Sequence, residues 1–511
     1  MLRHCEILFL LGVLVMSSTD AAKLLGIFHV PGKSHYLSGS ALMKILAEKG
    51  HDVTIVSPFT EKNPPKNYKE VVLTGLLDEK KDENFNMFDM TNNPFMMIGL
   101  FSYISTIMVE KTFNNTNFKK LMQSGEKYDA VILEEFNSEA LKYVAHHFNA
   151  PLIVYNAMDA NEWINPYQGN PDSPSYVPLV YLPYTSDMSF FERVYNSIIY
   201  VYINLVRHIF FLPMQNRVLH KYYPNAPNLD QFIYNVSLVL LNADESVYDA
   251  LPRVPSMKNI GGFHIHQPKP LPNDLQQLLD NAEHGVIYFS MGSNLLAKDM
   301  PTEKKKILLR TLSKLKQTVL WKYEEENLPG KPENVITRKW LPQNDILAHK
   351  NIKLFITHGG IFSTYEAVYH GVPLLSLGVI SEQILNGKRS EKNGYAKAVP
   401  FFDIEEETLD LYLKELLENP KYKENAARRS RILKDKPQSA TAAVNYWVEY
   451  VVRHKGASHL RVASLDLTWY QCMLLDVVAF LLVSFVVLIY TLKFLFRTVF
   501  GRKVNKKEKT A

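Results

Sequence analysis

Between Trp340 and Gln383 the chain carries a dense set of aromatic, glycine and polar residues: Trp340, Gln343, His358-Gly359-Gly360, Ser363, Glu366 and Glu382-Gln383. Ile352–Thr357 is a short apolar, β-branched run that predicts a buried strand. The His-Gly-Gly turn follows it. Ser363–His370 has helical character and stops at Gly371, with Pro373 beyond, before a second apolar run over Leu374–Leu377. In a strand–glycine turn–helix–strand unit the first N–H groups of the helix point at whatever lies over the turn. Glycine admits a close approach to that backbone, and the helix dipole favours an anion there. A diphosphate meets that description.

A second set of reactive residues lies far upstream. Lys23–Val30 predicts a buried strand, Pro31–Ser34 a turn, Tyr36–Lys49 a helix and Asp52–Ser57 another strand, which together predict a parallel α/β domain. His35 follows the first of these strands, at the carboxyl end where such domains bind ligands. Lys127–Glu134 predicts a further strand ending in acid, with Glu135 adjacent. Gly32-Lys33-Ser34 invites comparison with a phosphate loop, but that motif needs four residues between its glycines. Gly26 and Gly32 are separated by five, and Gly26 lies inside the strand.

Trp340–Gln383, read without a gap, resembles the donor-binding signature of the UDP-glycosyltransferases, including the animal UDP-glucuronosyltransferases and insect UDP-glucosyltransferases. Ser34-His35-Tyr36 resembles the family's catalytic-histidine context, and Ser290-Met291-Gly292-Ser293 its loop near the diphosphate and sugar. The resemblance implies that Trp340 stacks on or packs against uracil and that Gln343 contacts the nucleoside side. It implies that His358 and the N–H groups around Gly360 hold the diphosphate, with Ser293 near it, and that Ser363 caps the helix and adds a phosphate contact. Glu366 would bond the ribose hydroxyls, and Glu382 and Gln383 the hydroxyls of the transferred sugar. His35 would be the catalytic base and Glu134 its orienting carboxylate, with Glu135 open as a substitute. These roles suit the side chains: a planar ring on a base, donors on phosphate, carboxylates on vicinal hydroxyls. The chain departs from the family pattern in having Glu at 134 and 382, where many members have Asp, and Gly378 in place of Pro. The extra methylene of Glu382 bears on sugar choice.

The expected fold is therefore α/β: GT-B, two facing Rossmann-like domains with a C-terminal transmembrane helix. With 511 residues, 47% hydrophobic and 21% charged, the chain is long enough for two or three domains with real cores. The expected divisions are a signal peptide over 1–22, an N-terminal acceptor-binding domain over 23–262 and a linker over 263–273. A UDP-sugar-binding domain over 274–439, a returning helix and membrane-proximal segment over 440–468, a transmembrane helix over 469–492 and a basic cytosolic tail over 493–511 complete them. Phe190–Leu212 predicts a long apolar helix whose Arg193, Asn196, Asn204, Arg207 and His208 argue against a membrane span. It is expected to be buried in the domain or to rest on the membrane surface. His264 and His266 lack a third ligand nearby, so alternation on an exposed strand is expected rather than a metal site.

The net charge of +5 is concentrated in the tail, where seven basic residues follow from Lys493 on, so no nucleic-acid partner is implied. The two cysteines, Cys5 and Cys472, lie in the apolar end segments, which excludes a disulfide or a cysteine metal site in the body between them. A leader, an apolar run at Tyr470–Leu492 and basic residues after it predict a single-pass type I protein of the endoplasmic reticulum membrane, its body lumenal. Lys507 and Lys509 resemble a dilysine retrieval signal. Sequons at Asn114 and Asn235 are then plausible lumenal glycosylation sites.

The function implied is inverting transfer of a hexose, glucose favoured and glucuronate the other option, from a UDP-sugar to a hydroxyl of a small lipophilic acceptor. No bound cofactor or metal is expected; the UDP-sugar is a co-substrate. UDP-glucose or UDP-glucuronate, the acceptor and a membrane are the expected partners, and self-association as a homo-oligomer stays open. A membrane-anchored, non-catalytic binding protein is the competing reading.

Overall fold

The computed structural model describes residues 21–77, 86–90 and 92–507. Most of the expected leader, and Lys509 of the expected retrieval signal, lie outside the described residues. Up to Leu460 the chain is one compact unit built on two wholly parallel sheets. The first has seven strands in the order β3-β2-β1-β4-β5-β6-β7. These are β1 (Lys23–Ile27), β2 (Asp52–Ser57), β3 (Tyr68–Val72), β4 (Ala130–Glu134), β5 (Leu152–Asn156), β6 (Leu238–Leu241) and β7 (Met257–Asn259). The second has six in the order β10-β9-β8-β11-β12-β13. These are β8 (Val286–Ser290), β9 (Thr318–Lys322), β10 (Val335–Arg338), β11 (Ile352–Thr357), β12 (Leu374–Gly378) and β13 (Ala396–Pro400).

The central strands are apolar on both faces, as parallel strands covered by helices must be: β4, β5, β6, β8 and β12 are buried at every residue. Strand order reverses between β1 and β4 in the first sheet and between β8 and β11 in the second. Such reversals open a crevice at the carboxyl ends of the strands, because the connections on either side depart in opposite directions. The expected catalytic and phosphate-binding histidines, His35 and His358, follow two of these four strands, β1 and β11.

Helix α1 (Lys33–Glu48) follows β1, α2 (Pro94–Asn114) precedes β4, and α3 (Phe190–Val206) and α4 (Leu212–Tyr222) lie between β5 and β6. In the second half, α5 (Ile361–His370) follows β11 and α6 (Ser381–Lys392) follows β12. Helix α7 (Ala440–Arg453) returns to the first half: Ala443, Val444, Val448 and Val451 pack with Leu42, Leu46 and Ile260 in one apolar cluster. A second cluster is continuous across the two halves, with Leu241, Val247 and Tyr248 beside Tyr365 and Val368.

Several expectations change. Helix α1 starts at Lys33, so His35 is in its first turn rather than just ahead of it. The helix at 190 is not buried in the domain. It packs through Asn196, Ile199 and Ile203, while Phe191, Val194, Ile198, Val201 and Leu205 are exposed on its other side. It continues through a π-helical turn, Arg207–Phe211, into α4. His264 is on no strand. Its ring is enclosed against Phe362, with centroids 4.8 Å apart, and burial pushes its pKa down to about 4.

The remaining unit, Arg461–Ala511, carries α8 (Leu475–Lys507), whose stretch Leu475–Val499 is long and apolar enough to cross a membrane. That stretch begins later than the expected 469, because the chain breaks helical geometry at Leu474, where φ is +55°.

Candidate active site

Gly32 is extended (φ −108°, ψ 129°) and turns the chain from β1 into α1, which places His35 one turn above the sheet edge. Glu134 is the last residue of β4, paired alongside β1 through Ile27 and Leu133. His35 Nδ1 lies 2.8 Å from Glu134 Oε1, and the carboxylate is completely buried. A carboxylate can only accept, so it fixes the proton on Nδ1 and makes Nε2 the accepting nitrogen of the ring. The ring is also met edge-on by Phe136, with centroids 5.1 Å apart and planes at 77°.

Glu135 does not share this place. Successive residues at a strand end point to opposite faces, and Glu135 turns into a closed cluster where Lys142 Nζ lies 3.3 Å from its Oε2. Glu139, Arg207 and Tyr167 complete that cluster. It is a neutralised, buried assembly rather than part of the cleft.

On the opposite wall, His358 follows β11. Its enclosure and the nearby Lys322 ammonium depress its pKa to about 4, so the ring is neutral near pH 7. The ring occupies space that only glycine leaves open. A Cβ on Gly292, whose φ is +85°, would stand 2.6 Å from His358 Cε1, and one on Gly360 would collide with Nε2. Gly360 is the N-cap of α5 and has no side chain to answer the helix's first N–H groups, which are therefore free for an anion. Lys322 donates from Nζ to Gly292 O at 2.9 Å and to Glu324 at 2.7 Å. Ser293 is half-buried in the same turn.

Gln343, Ser363 and Glu366 form a single network. Gln343 donates to Ser363 Oγ at 3.0 Å and to Glu366 Oε2 at 2.6 Å, and accepts from the Tyr288 hydroxyl at 3.3 Å. The expectation that Ser363 caps α5 is wrong. Ser363 is the third residue of the helix, past the cap position, and its Oγ is used by Gln343 instead. Burial pushes Glu366 up to about 7. Trp340 is 56% exposed, with Lys33 Nζ 4.0 Å and Lys322 Nζ 5.9 Å from its ring centroid.

Glu382, the second residue of α6, accepts from Asn386, which also donates to Gly359 O at 3.0 Å. Burial pushes Glu382 up to about 7, against the Asn386 bond and the charges of Arg389 and His35. Gln383 folds its side-chain carbonyl back onto the Val379 and Ile380 N–H groups, at 3.1 and 3.3 Å. Only its amide N–H groups are left for a ligand hydroxyl. Asn294, Lys322 and Asn386 were not singled out from the sequence, and Lys33 only within the Gly32-Lys33-Ser34 run weighed as a phosphate loop. Asn294 and Asn386 lie within four residues of a residue that was, Ser293 and Gln383, which is the signal the sequence offers for them.

The halves face one another at this place. Asn92 donates across to Val379 O at 3.0 Å, and His35 is near enough to act on the charge of Glu382. Both sequon asparagines, Asn114 and Asn235, are exposed on the first half. Among the described residues no three His, Cys, Asp or Glu side chains gather as a metal site.

The sequence matches the family described as "UDP-glucoronosyl and UDP-glucosyl transferase" over residues 25–510. It is 38% identical over 503 residues to UDP-glycosyltransferase UGT5 of Dactylopius coccus, covering 95% of each chain. It is 32% identical over 466 residues to UDP-glucuronosyltransferase 1A9 of Homo sapiens, covering 88% of this chain and 86% of that one. In fold it is similar to a UDP-glucosyltransferase from Polygonum tinctorium, with TM-score 0.58 and 15% identity over 85% of this chain and all of the other. The glycosyltransferase of kitacinnamycin superposes with TM-score 0.59 at 14% identity, over 85% of this chain and 99% of that one. The two parallel sheets meeting at their switch points are thus the GT-B arrangement. With a family match over nearly its whole length, the chain belongs to the UDP-glucuronosyl- and UDP-glucosyltransferases, enzymes that transfer a sugar from a UDP-sugar.

Proposed function

We propose that this protein is an inverting glycosyltransferase that moves glucose, in preference to glucuronate, from its UDP-sugar to a hydroxyl of a small lipophilic acceptor. The observation that carries the reading is the His35–Glu134 pair of the first half standing opposite the glycine turns of the second. An acceptor hydroxyl is a poor nucleophile near neutral pH. His35 Nε2 takes its proton as the bond to the anomeric carbon forms, and Glu134 stabilises the imidazolium that results. Attack from the first half, opposite the departing UDP, inverts the configuration. The charge that grows on the diphosphate is met by the α5 N-terminus, with Lys33 and Lys322 close by. Trp340, Gln343 and Glu366 would hold the nucleoside, and Glu382 with Gln383 the sugar.

Glucose is favoured because a relative from Dactylopius coccus, 34% identical over 502 residues, is described as UDP-glucosyltransferase 2. The Leu475–Val499 helix supports a single-pass, type I anchorage in the endoplasmic reticulum membrane with the catalytic body lumenal. To test the reading, membranes holding the protein are incubated in parallel with UDP-glucose and UDP-glucuronate and a panel of phenolic acceptors, and conjugates are identified by mass. Hexosides from UDP-glucose are expected. Uronides alone would overturn the donor assignment, and neither conjugate with any acceptor would overturn the reading as a whole.

A further inference from the structure

The Asn294 side chain fastens the turn that carries His35 to the donor half. Asn294 lies in the loop after β8, two residues beyond Gly292, whose backbone carbonyl Lys322 holds and whose missing side chain makes room for His358. Its Oδ1 accepts the Lys33 N–H at 3.2 Å, and its Nδ2 donates to Ser34 Oγ at 2.9 Å. Both acceptor-half partners immediately precede His35. The Lys33 ammonium adds a third tie from the same turn, resting over the Trp340 ring at 4.0 Å.

The space is shaped for this clip. A Cβ on Gly32 would stand 2.7 Å from His35 Cδ2 and 3.5 Å from Asn294 Nδ2. A side chain there would run into the His35 ring while only touching the Asn294 amide, so glycine leaves the ring its place beside that amide. The amide also satisfies one of the N–H groups at the start of α1, which no side chain of the first half caps.

We infer that Asn294 is a positioning residue for the glycosyl transfer: it couples the loop beside the donor site to the turn that aims His35. The inference rests on the reading of His35 as the base. A side-chain amide suits the task, since it accepts from a backbone N–H and donates to a hydroxyl at once without adding charge beside the diphosphate site. Because the clip acts on the placement of the base, its loss falls on the chemical step. A displacement of the order of an ångström at a reacting group is worth up to roughly 10²-fold in rate.

The test uses the full-length, membrane-bound protein and four variants: Asn294→Ala, Asn294→Asp, Ser34→Ala and the double variant Asn294→Ala/Ser34→Ala. Expected for Asn294→Ala is a fall in kcat of about 10- to 100-fold, with the Kd for UDP within about twofold of the parent by calorimetry, since a shared binding loss would act on both. Ser34→Ala should cost less, and should cost nothing further in the Asn294→Ala background, because the two residues act through one contact. Asn294→Asp keeps acceptors for the Lys33 N–H and the Ser34 O–H but sets a negative charge beside the diphosphate site, so it should recover only part of kcat. An unchanged kcat in Asn294→Ala overturns the inference. So does a loss of UDP affinity in step with kcat, which would make Asn294 a donor-site residue, and so does additivity of the two single losses. A His35→Ala protein assayed alongside separates the layers: if it stays active the base assignment fails, whereas if it is dead while Asn294→Ala is fully active only the clip fails.

Discussion

His35 Nδ1 and Glu134 Oε1 lie 2.8 Å apart although 99 residues separate them in the chain. They meet because β1 and β4 are neighbours in the sheet, with the reversal of strand order between them. The carboxylate is sealed from solvent and the imidazole is partly open, so one partner is fixed and the other can reach a substrate.

Glu134→Gln is expected to lower kcat by about 10²-fold or more. The amide can present N–H to Nδ1 and so stabilise the tautomer with its proton on Nε2, which cannot then accept from the acceptor hydroxyl. UDP affinity should not change, because no donor residue touches Glu134. Steady-state kinetics and a UDP titration by calorimetry check both halves of this expectation.

Glu135→Gln should do the reverse. Removing one charge from the buried Glu135–Lys142 pair leaves an ammonium without its nearest counter-ion, a loss of about 3–5 kcal/mol in comparable pairs. Glu139, close by in the same cluster, places this case at the lower end. The midpoint of denaturant unfolding should fall, while kcat per folded molecule stays near the parent's.

UDP binding should depend on pH through Glu366. Burial holds its carboxyl at about 7 in the free protein. Ribose hydroxyls donate best to the charged form, so the bound state has the lower pKa and binding releases a proton. The sign follows: affinity weakens as pH falls below 7, by up to about tenfold per unit, and levels off above it. Calorimetry in buffers of different ionisation heat measures the released proton, and Glu366→Gln should flatten the profile.

Trp340→Ala removes the exposed ring on which the base is expected to lie. Stacking of a base on an aromatic ring is worth about 1–3 kcal/mol, so UDP should bind roughly 5- to 150-fold more weakly. An unchanged Kd would mean that the ring serves Lys33 rather than the nucleotide.

Much of this architecture is written in local pattern. Runs such as AVILE, LIVYN and VIYFS are apolar up to a polar last residue because both faces of a central parallel strand are covered, and such runs are readable one at a time. The strand YKEVV is not, since it lies at the sheet edge, is mostly only partly buried and carries two charges. The His-Gly-Gly turn and its helix could be seen as an anion site from spacing alone, because a helix N-terminus is a local object. What lay beyond local pattern was every relation across the fold. The choice between Glu134 and Glu135 depended on which face of one strand end is turned to the start of α1, which carries His35. Ser363 looked like a cap until the helix start at Ile361 moved it inside, where Gln343 takes its hydroxyl. The exposed side of the helix at 190 depended on what packs beneath it. The sequence by itself determined the residues available for chemistry and the short elements that present them, since those follow from side-chain type and period. Only the tertiary structure decided which of them meet, because a contact between positions 35 and 134, or between 294 and 34, exists solely through the order of strands in two sheets and the closeness of their carboxyl ends.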